Sequence, residues 1–132
     1  MEDAQYLLDT CILIDVFGGR RGYQERIGKT GFSRFGTATI CVAELYVGAF
    51  KKQEEAFFRQ IEWVMNNFAC YPADPSICTY ARLRADLENA GMRLADFDLL
   101  IASIAIDNDM TLVTRNARHF EQIPGLKLEV WE

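Results

Sequence analysis

The run Leu7-Leu8-Asp9-Thr10-Cys11-Ile12-Leu13-Ile14-Asp15 decides the reading of this chain. Tyr6-Leu7-Leu8 is a short apolar run that stops at Asp9-Thr10, and Cys11 to Phe17 continues apolar until Gly18-Gly19 breaks it. This reads as a strand followed by a short helix, with an acid at the junction. In open parallel α/β sheets, ligands bind beyond the carboxyl ends of the strands, so a carboxylate at such a junction is a candidate site residue.

The same alternation continues along the chain. Thr37 to Ile40 is β-branched and reads as a second strand; Val42, Leu45, Tyr46 and Ala49 then make one helical stripe, with Glu44 off its centre. Glu54 to Phe68 has helical periodicity, and Ala69-Cys70-Tyr71 reads as a third strand ended by Pro72. A helix is expected from Ser76 to about Ala90, with Gly91 capping its end. Leu99 to Ile106 is apolar nearly all round, as in a buried helix, with Asp96 and Asp98 at its start. Thr111 to Thr114 is a short strand, and Leu126 to Trp131 alternates like a final edge strand. Strands separated by helices predict an α/β fold with a mostly parallel sheet of four to five strands.

The chain has 132 residues, half of them hydrophobic and a quarter charged, which predicts one globular domain over residues 1–132. An acidic start and the lack of any long apolar run argue against a secretory signal or a membrane span, and cysteines without a CxxC pair suggest reduced thiols; a cytoplasmic location is expected. A single histidine, His119, excludes His-rich zinc sites, and a net charge of -5 excludes a broad basic nucleic-acid footprint. Carboxylate chemistry is what remains.

Four polar residues follow predicted strands or open predicted helices: Asp9, Glu44, Asp98 and Asn116, at separations of 35, 54 and 18 residues. Helix capping is the plain structural reading for Asp9, Thr10, Asp96 and Asp98, and a solvent-facing position is the plain reading for Glu44. If the three acids converge, two carboxylates about 4 Å apart repel by about 4 kcal/mol at an effective dielectric near 20, and a cation is the natural compensation. All-oxygen ligands select Mg²⁺ or Mn²⁺, the chemistry of assisted phosphodiester hydrolysis.

In four stretches the chain resembles a PIN-domain ribonuclease, and more narrowly the VapC toxins of toxin–antitoxin pairs: LLDTCILID from Leu7, TICVAELYVGA from Thr39, DFDLLIASIA from Asp96 and TLVTRNARHFEQIPGL from Thr111. The resemblance implies a PIN-like three-layer α/β/α fold and a Mg²⁺- or Mn²⁺-dependent endoribonuclease site. It makes Asp9, Glu44 and Asp98 the metal-binding acids, with Asp96 a nearby extra carboxylate and Asn116 at the place of a fourth acid. Thr10 and Thr114 match the hydroxyl residues beside the acids. Cys11 departs from the asparagine common after the Asp-Thr pair, and His119 stands where an acid commonly precedes the phenylalanine. The implied partners are RNA, a VapB-like antitoxin in a hydrophobic groove, and a second copy in a homodimer.

Arg20 to Arg34 is the most basic segment and reads as mobile, so Arg20 and Arg21, with Arg115 and Arg118 beside Asn116, are candidate RNA contacts. Core packing is expected for most of Phe17, Phe32, Phe35, Phe50, Phe57, Phe58 and Trp63. The competing reading is a PIN-fold module without catalysis, working by binding RNA or protein. Receivers and dehalogenase-like phosphatases fit less well, since this chain has Arg115 where a receiver has a lysine and Cys11 where such a phosphatase has a second acid.

Overall fold

The computed structural model describes residues 4–132. Five strands, β1 (Tyr6–Leu8), β2 (Phe35–Ala38), β3 (Ala69–Tyr71), β4 (Thr111–Thr114) and β5 (Lys127–Val130), form one sheet in the order β3-β2-β1-β4-β5. Every neighbouring pair is parallel. Leu7 and Leu8 of the central strand are fully buried, as expected where helices cover both faces of a sheet. The helices are α1 (Thr10–Phe17), α2 (Tyr23–Thr30), α3 (Thr39–Lys52), α4 (Glu55–Asn67), α5 (Ile77–Asn89) and α6 (Asp96–Asp107). Among them α3 packs on α1 and α4, and α5 packs on α6. The result is the α/β/α arrangement expected, with five strands and no antiparallel pair among the described residues.

The strand order carries the positional information. From β1 the chain steps outward to β2 and β3, then returns to the other side of β1 for β4 and β5. Connections leave in opposite directions at β1 and β4, and a crevice opens beyond the carboxyl ends of those two strands. Asp9 and Thr114 both stand there.

Two expectations need correction. The second strand begins at Phe35 and ends at Ala38; Thr39 and Ile40 belong to the first turn of α3. Gly36 looks like a strand breaker, yet it is needed. A Cβ at Gly36 would lie 2.8 Å from the Tyr71 ring and 2.9 Å from the Ala69 carbonyl oxygen on the adjacent strand. Gly36→Ala should therefore cost about 1–3 kcal/mol, seen as a fall of several degrees in the thermal midpoint. An unchanged midpoint would refute this close approach.

The Arg20 to Arg34 segment is structured rather than loose. It contains α2, whose Tyr23 and Ile27 are buried, and a 3-10 turn over Phe32–Arg34. The aromatic residues divide as expected, with four of the seven packed in or against the core. Of the seven named above only Phe35 is fully buried; Phe17, Phe57 and Phe58 are half-buried, and Phe32, Phe50 and Trp63 are exposed. All four cysteines are unpaired.

Candidate active site

Asp9 is the residue at which β1 becomes α1. Its backbone N–H donates to the Val113 carbonyl at 3.0 Å, extending the ladder to β4 by one residue, and its own carbonyl accepts from Ile12 and Leu13. It is the N-cap of α1, with Oδ1 accepting from the Thr10 backbone N–H at 2.8 Å. The side chain is buried and its second oxygen is also engaged: Thr114 Oγ1 donates to Oδ2 at 2.8 Å, and the Cys11 thiol donates to the same atom at 3.7 Å. Capping and site membership are thus two roles of one carboxylate.

Thr114 closes β4 and is held in turn. Its hydroxyl accepts from the Asn116 backbone N–H at 3.1 Å, which directs its own proton at Asp9. The Cys11 sulfur lies 3.6 Å from the same hydroxyl and accepts from the Arg115 backbone N–H at 3.5 Å. Burial, then the Asp9 charge, push the Cys11 thiol above its ordinary value, so it serves as a donor to Asp9 at neutral pH.

Glu44 lies on the second turn of α3. Cys41, Val42, Leu45 and Ala49 face the core, which leaves Glu44 half-buried at the edge of that stripe. Thr10 Oγ1 donates to its Oε1 at 2.7 Å, so the residue after Asp9 ties α1 to the second acid.

Asp98 sits in the first turn of α6, where a negative charge is favoured by the helix dipole. The cap position is Ala95 and no side chain caps this helix, so neither Asp96 nor Asp98 has the capping role considered above. Burial raises the Asp98 carboxyl above its ordinary value, and the charges of Asp9 and Glu44 raise it further; only His119 pulls it down. The three acids therefore share one electrostatic field. His119 Nδ1 is 3.2 Å from Asp98 Oδ2 while its ring remains half exposed, at the rim of the group.

Other candidates lie outside it. Asp96 is exposed, bonded to Arg84 Nη2 at 2.6 Å and to the Tyr80 hydroxyl at 2.9 Å. The Asn116 side chain and Arg118 are exposed. Arg20, Arg21 and Arg115 all converge on Asp15, a buried acid of α1. Asp15 was hidden in the apolar run Cys11 to Phe17; a lone charge within such a run, with arginines shortly after it, was the available signal.

The donor set suits a hard divalent cation. Asp9, Glu44 and Asp98 offer only oxygen, Asp9 and Glu44 are oriented by hydroxyl and amide donors, and the mutual repulsion felt by Asp98 is what a cation relieves. No group of three or more Asp, Glu, His or Cys side chains among the described residues is gathered tightly enough to enclose an ion. Mg²⁺ does not require that, since it keeps several waters and binds through one or two carboxylates beside substrate phosphates.

From Glu44 a groove of about 570 Å³ runs between α1, α3 and α4, lined by Ile14, Phe17, Leu45, Phe57 and Ile61 and reaching Arg20. No helix among the described residues is long and apolar enough to cross a membrane.

Comparison with known proteins gives a consistent result. The PIN domain family model matches residues 6–126. A protein named Ribonuclease VapC2 from Rickettsia felis is 37% identical over 98 residues, covering 72% of each chain. The tRNA(fMet)-specific endonuclease VapC of Shigella flexneri is 27% identical, covering 96% of this chain and 98% of its own. Among solved structures, VapBC2 from Rickettsia felis bound to a promoter DNA fragment contains a chain that superposes with a TM-score of 0.86 at 30% identity, covering 96% of this chain and 98% of that one.

Proposed function

We propose, for a chain that belongs to the PIN-domain family and to its VapC-type ribonucleases, that Asp9, Glu44 and Asp98 are the metal-binding acids of an endoribonuclease toxin and that the ion is Mg²⁺ or Mn²⁺. The observation that carries this reading is the placing of Asp9, tied by Thr114 to β4, of Glu44, tied by Thr10 to α1, and of Asp98 in the first turn of α6 around the crevice at the switch point of the sheet. An inactive binding module would gain nothing from retaining these acids together.

Asp9, Glu44 and Asp98 would hold the divalent ion, which when bound would supply an acidified water and offset charge developing on the phosphate. The protein's own groups do the rest. Thr114 and the Thr10 backbone fix the Asp9 carboxylate so that both oxygens keep one orientation, and Thr10 Oγ1 does the same for one oxygen of Glu44. Asp98, in the first turn of α6, brings the third carboxylate to the same crevice, with His119 Nδ1 3.2 Å from its Oδ2. His119, in contact with Asp98, holds that carboxylate at the rim where substrate enters. Asn116 contributes by orienting Thr114 through its backbone, and Asp96 has no direct part, being paired with Arg84.

The antitoxin is proposed to be VapB-like and to occupy the groove between α1, α3 and α4, where Glu44 forms part of the wall and can receive a basic side chain. A homodimer and a single domain are part of the same reading. Because similar proteins are named tRNA(fMet)-specific endonucleases, tRNA is the first substrate class to test. The decisive assay is cleavage of purified tRNA and of total RNA by the antitoxin-free chain, with Mn²⁺ or with EDTA. Discrete cuts that require the metal are expected. Intact RNA in both arms, with the protein shown to be folded, would refute the reading.

A further inference from the structure

Asp15 is buried, with its side chain 6% exposed, yet three arginines surround it. Arg115 Nη1 lies 2.8 Å from Oδ2, Arg21 Nε 3.2 Å from Oδ2 and Arg20 Nε 3.3 Å from Oδ1. One carboxylate neutralises one guanidinium, so the cluster carries excess positive charge on a chain whose net charge is -5. The geometry is also unsaturated. Each guanidinium has five N–H donors in a fixed fork, and two carboxylate oxygens cannot accept from most of fifteen. The three side chains remain 60%, 42% and 34% exposed, with their unused donors reaching solvent.

Two further features mark the surroundings of the cluster. The Tyr23 hydroxyl is buried without any hydrogen-bond partner, and it lies within the fields of Arg21, Arg115, Asp15 and Cys11. The backbone is also committed to presenting this arrangement: Arg21 holds a left-handed φ of 61° between Gly19 and Gly22, a conformation that costs a non-glycine residue about 1–3 kcal/mol.

The cluster is contiguous with the acids. The Arg115 backbone donates to the Cys11 sulfur, which contacts Asp9, and Arg20 and Glu44 line the same groove. We propose that Arg20, Arg21 and Arg115, oriented by Asp15, form a metal-independent clamp for a backbone phosphate of the RNA substrate, next to the phosphate that is cut. The clamp rests on the ribonuclease reading and adds a binding site to it. It resolves how a strongly acidic protein holds a polyanion: Asp15 points three cations at one place while the acids a few residues away receive the ion.

The test is fluorescence anisotropy of a short labelled single-stranded RNA with the full chain in EDTA, over a range of KCl concentrations. Arg20→Ala/Arg21→Ala should weaken binding at low salt at least about tenfold and reduce the slope of log affinity against log salt by about 0.7 for each phosphate no longer neutralised. Arg20→Lys/Arg21→Lys should restore the slope but only part of the affinity, because an ammonium lacks the guanidinium fork. Arg82→Ala/Arg93→Ala removes the same charge from exposed positions elsewhere and should leave the slope unchanged.

An unchanged slope in the first variant, an equal fall in the control, or no binding by wild-type protein at low salt would each overturn the clamp. So would a fall in antitoxin affinity with RNA binding intact, which would assign the cluster to the protein partner. Metal-dependent cleavage by the wild-type chain is scored separately, so the clamp can fail while the ribonuclease reading stands.

Discussion

Asp9→Asn should lose at least about a thousandfold in RNA cleavage, roughly 4 kcal/mol of transition-state stabilisation, while remaining folded. The substitution separates the two roles of this residue. An asparagine caps a helix as well as an aspartate, so its carbonyl can keep the bond from the Thr10 N–H that starts α1. Its amide then meets the Thr114 hydroxyl, which is able to reverse its own proton and accept. What disappears is the charge that binds the cation. Asp9→Ala would also remove the cap, at a further cost of about 0.5–2 kcal/mol, and would confuse chemistry with stability. Initial rates on tRNA, with thermal melts of both proteins, provide the check. A folded Asp9→Asn protein that cuts at the wild-type rate would remove Asp9 from the mechanism.

The second large effect is on stability and has the opposite sign. The folded-state proton affinity of Asp98 is raised, so its contribution is most favourable below the unfolded carboxylate range and is lost as pH rises through the higher folded value. At neutral pH the ionised group therefore destabilises the metal-free protein. Asp98→Asn should raise the metal-free melting midpoint at neutral pH, less so in acid, where the wild-type carboxyl is already protonated. Removing the His119 contact opposes this gain without cancelling it, because burial outweighs His119 among the causes.

Metal reverses the ranking. Mn²⁺ at a hundredfold excess over its dissociation constant should stabilise the wild type by about 2.7 kcal/mol, roughly 10 °C for a chain of this size. The same addition should move Asp98→Asn little, and cleavage by that variant should fall with the diminished response. Equal metal-induced shifts in the two proteins would exclude Asp98 as a ligand.

The candidate site was legible in the sequence to the extent that strand ends were legible. Asp9 stands out because an apolar run stops there, and β3 and β4 are readable at their observed bounds for the same reason. Glu44 and Asp98 were candidates from their places after a predicted strand and at a helix start, and the family resemblance joined them to Asp9, which no local spacing could do, since only the parallel sheet brings α1, α3 and α6 together. The misreadings have physical causes. Thr39 and Ile40 are β-branched, but α3 begins immediately after Ala38 and takes them in, while Gly36 is tolerated in a strand because Ala69 and Tyr71 leave no room for a side chain.

Asp15 escaped notice because periodicity scores an isolated charge in an apolar run as noise. Its partners arrive from a turn that looked mobile and from the far end of the chain, 100 residues later. Asp96 illustrates the reverse error, in which proximity in sequence suggested a role that the Arg84 pair does not favour.

The placing of β4 beside β1 also sets when the acidic centre can form during synthesis. Asp9, Glu44 and Asp98 are all synthesised before Thr114, but the central strand has only one hydrogen-bonded neighbour until β4 inserts on its other side. The bond between Thr114 and Asp9 spans 105 residues, and closing so long a loop is slow compared with forming the local helices. A ribosome-bound chain stopped short of β4 carries every acid and no organised centre. Assembly of the acidic centre is thus a late event of synthesis, completed only once Thr114 has emerged to meet Asp9.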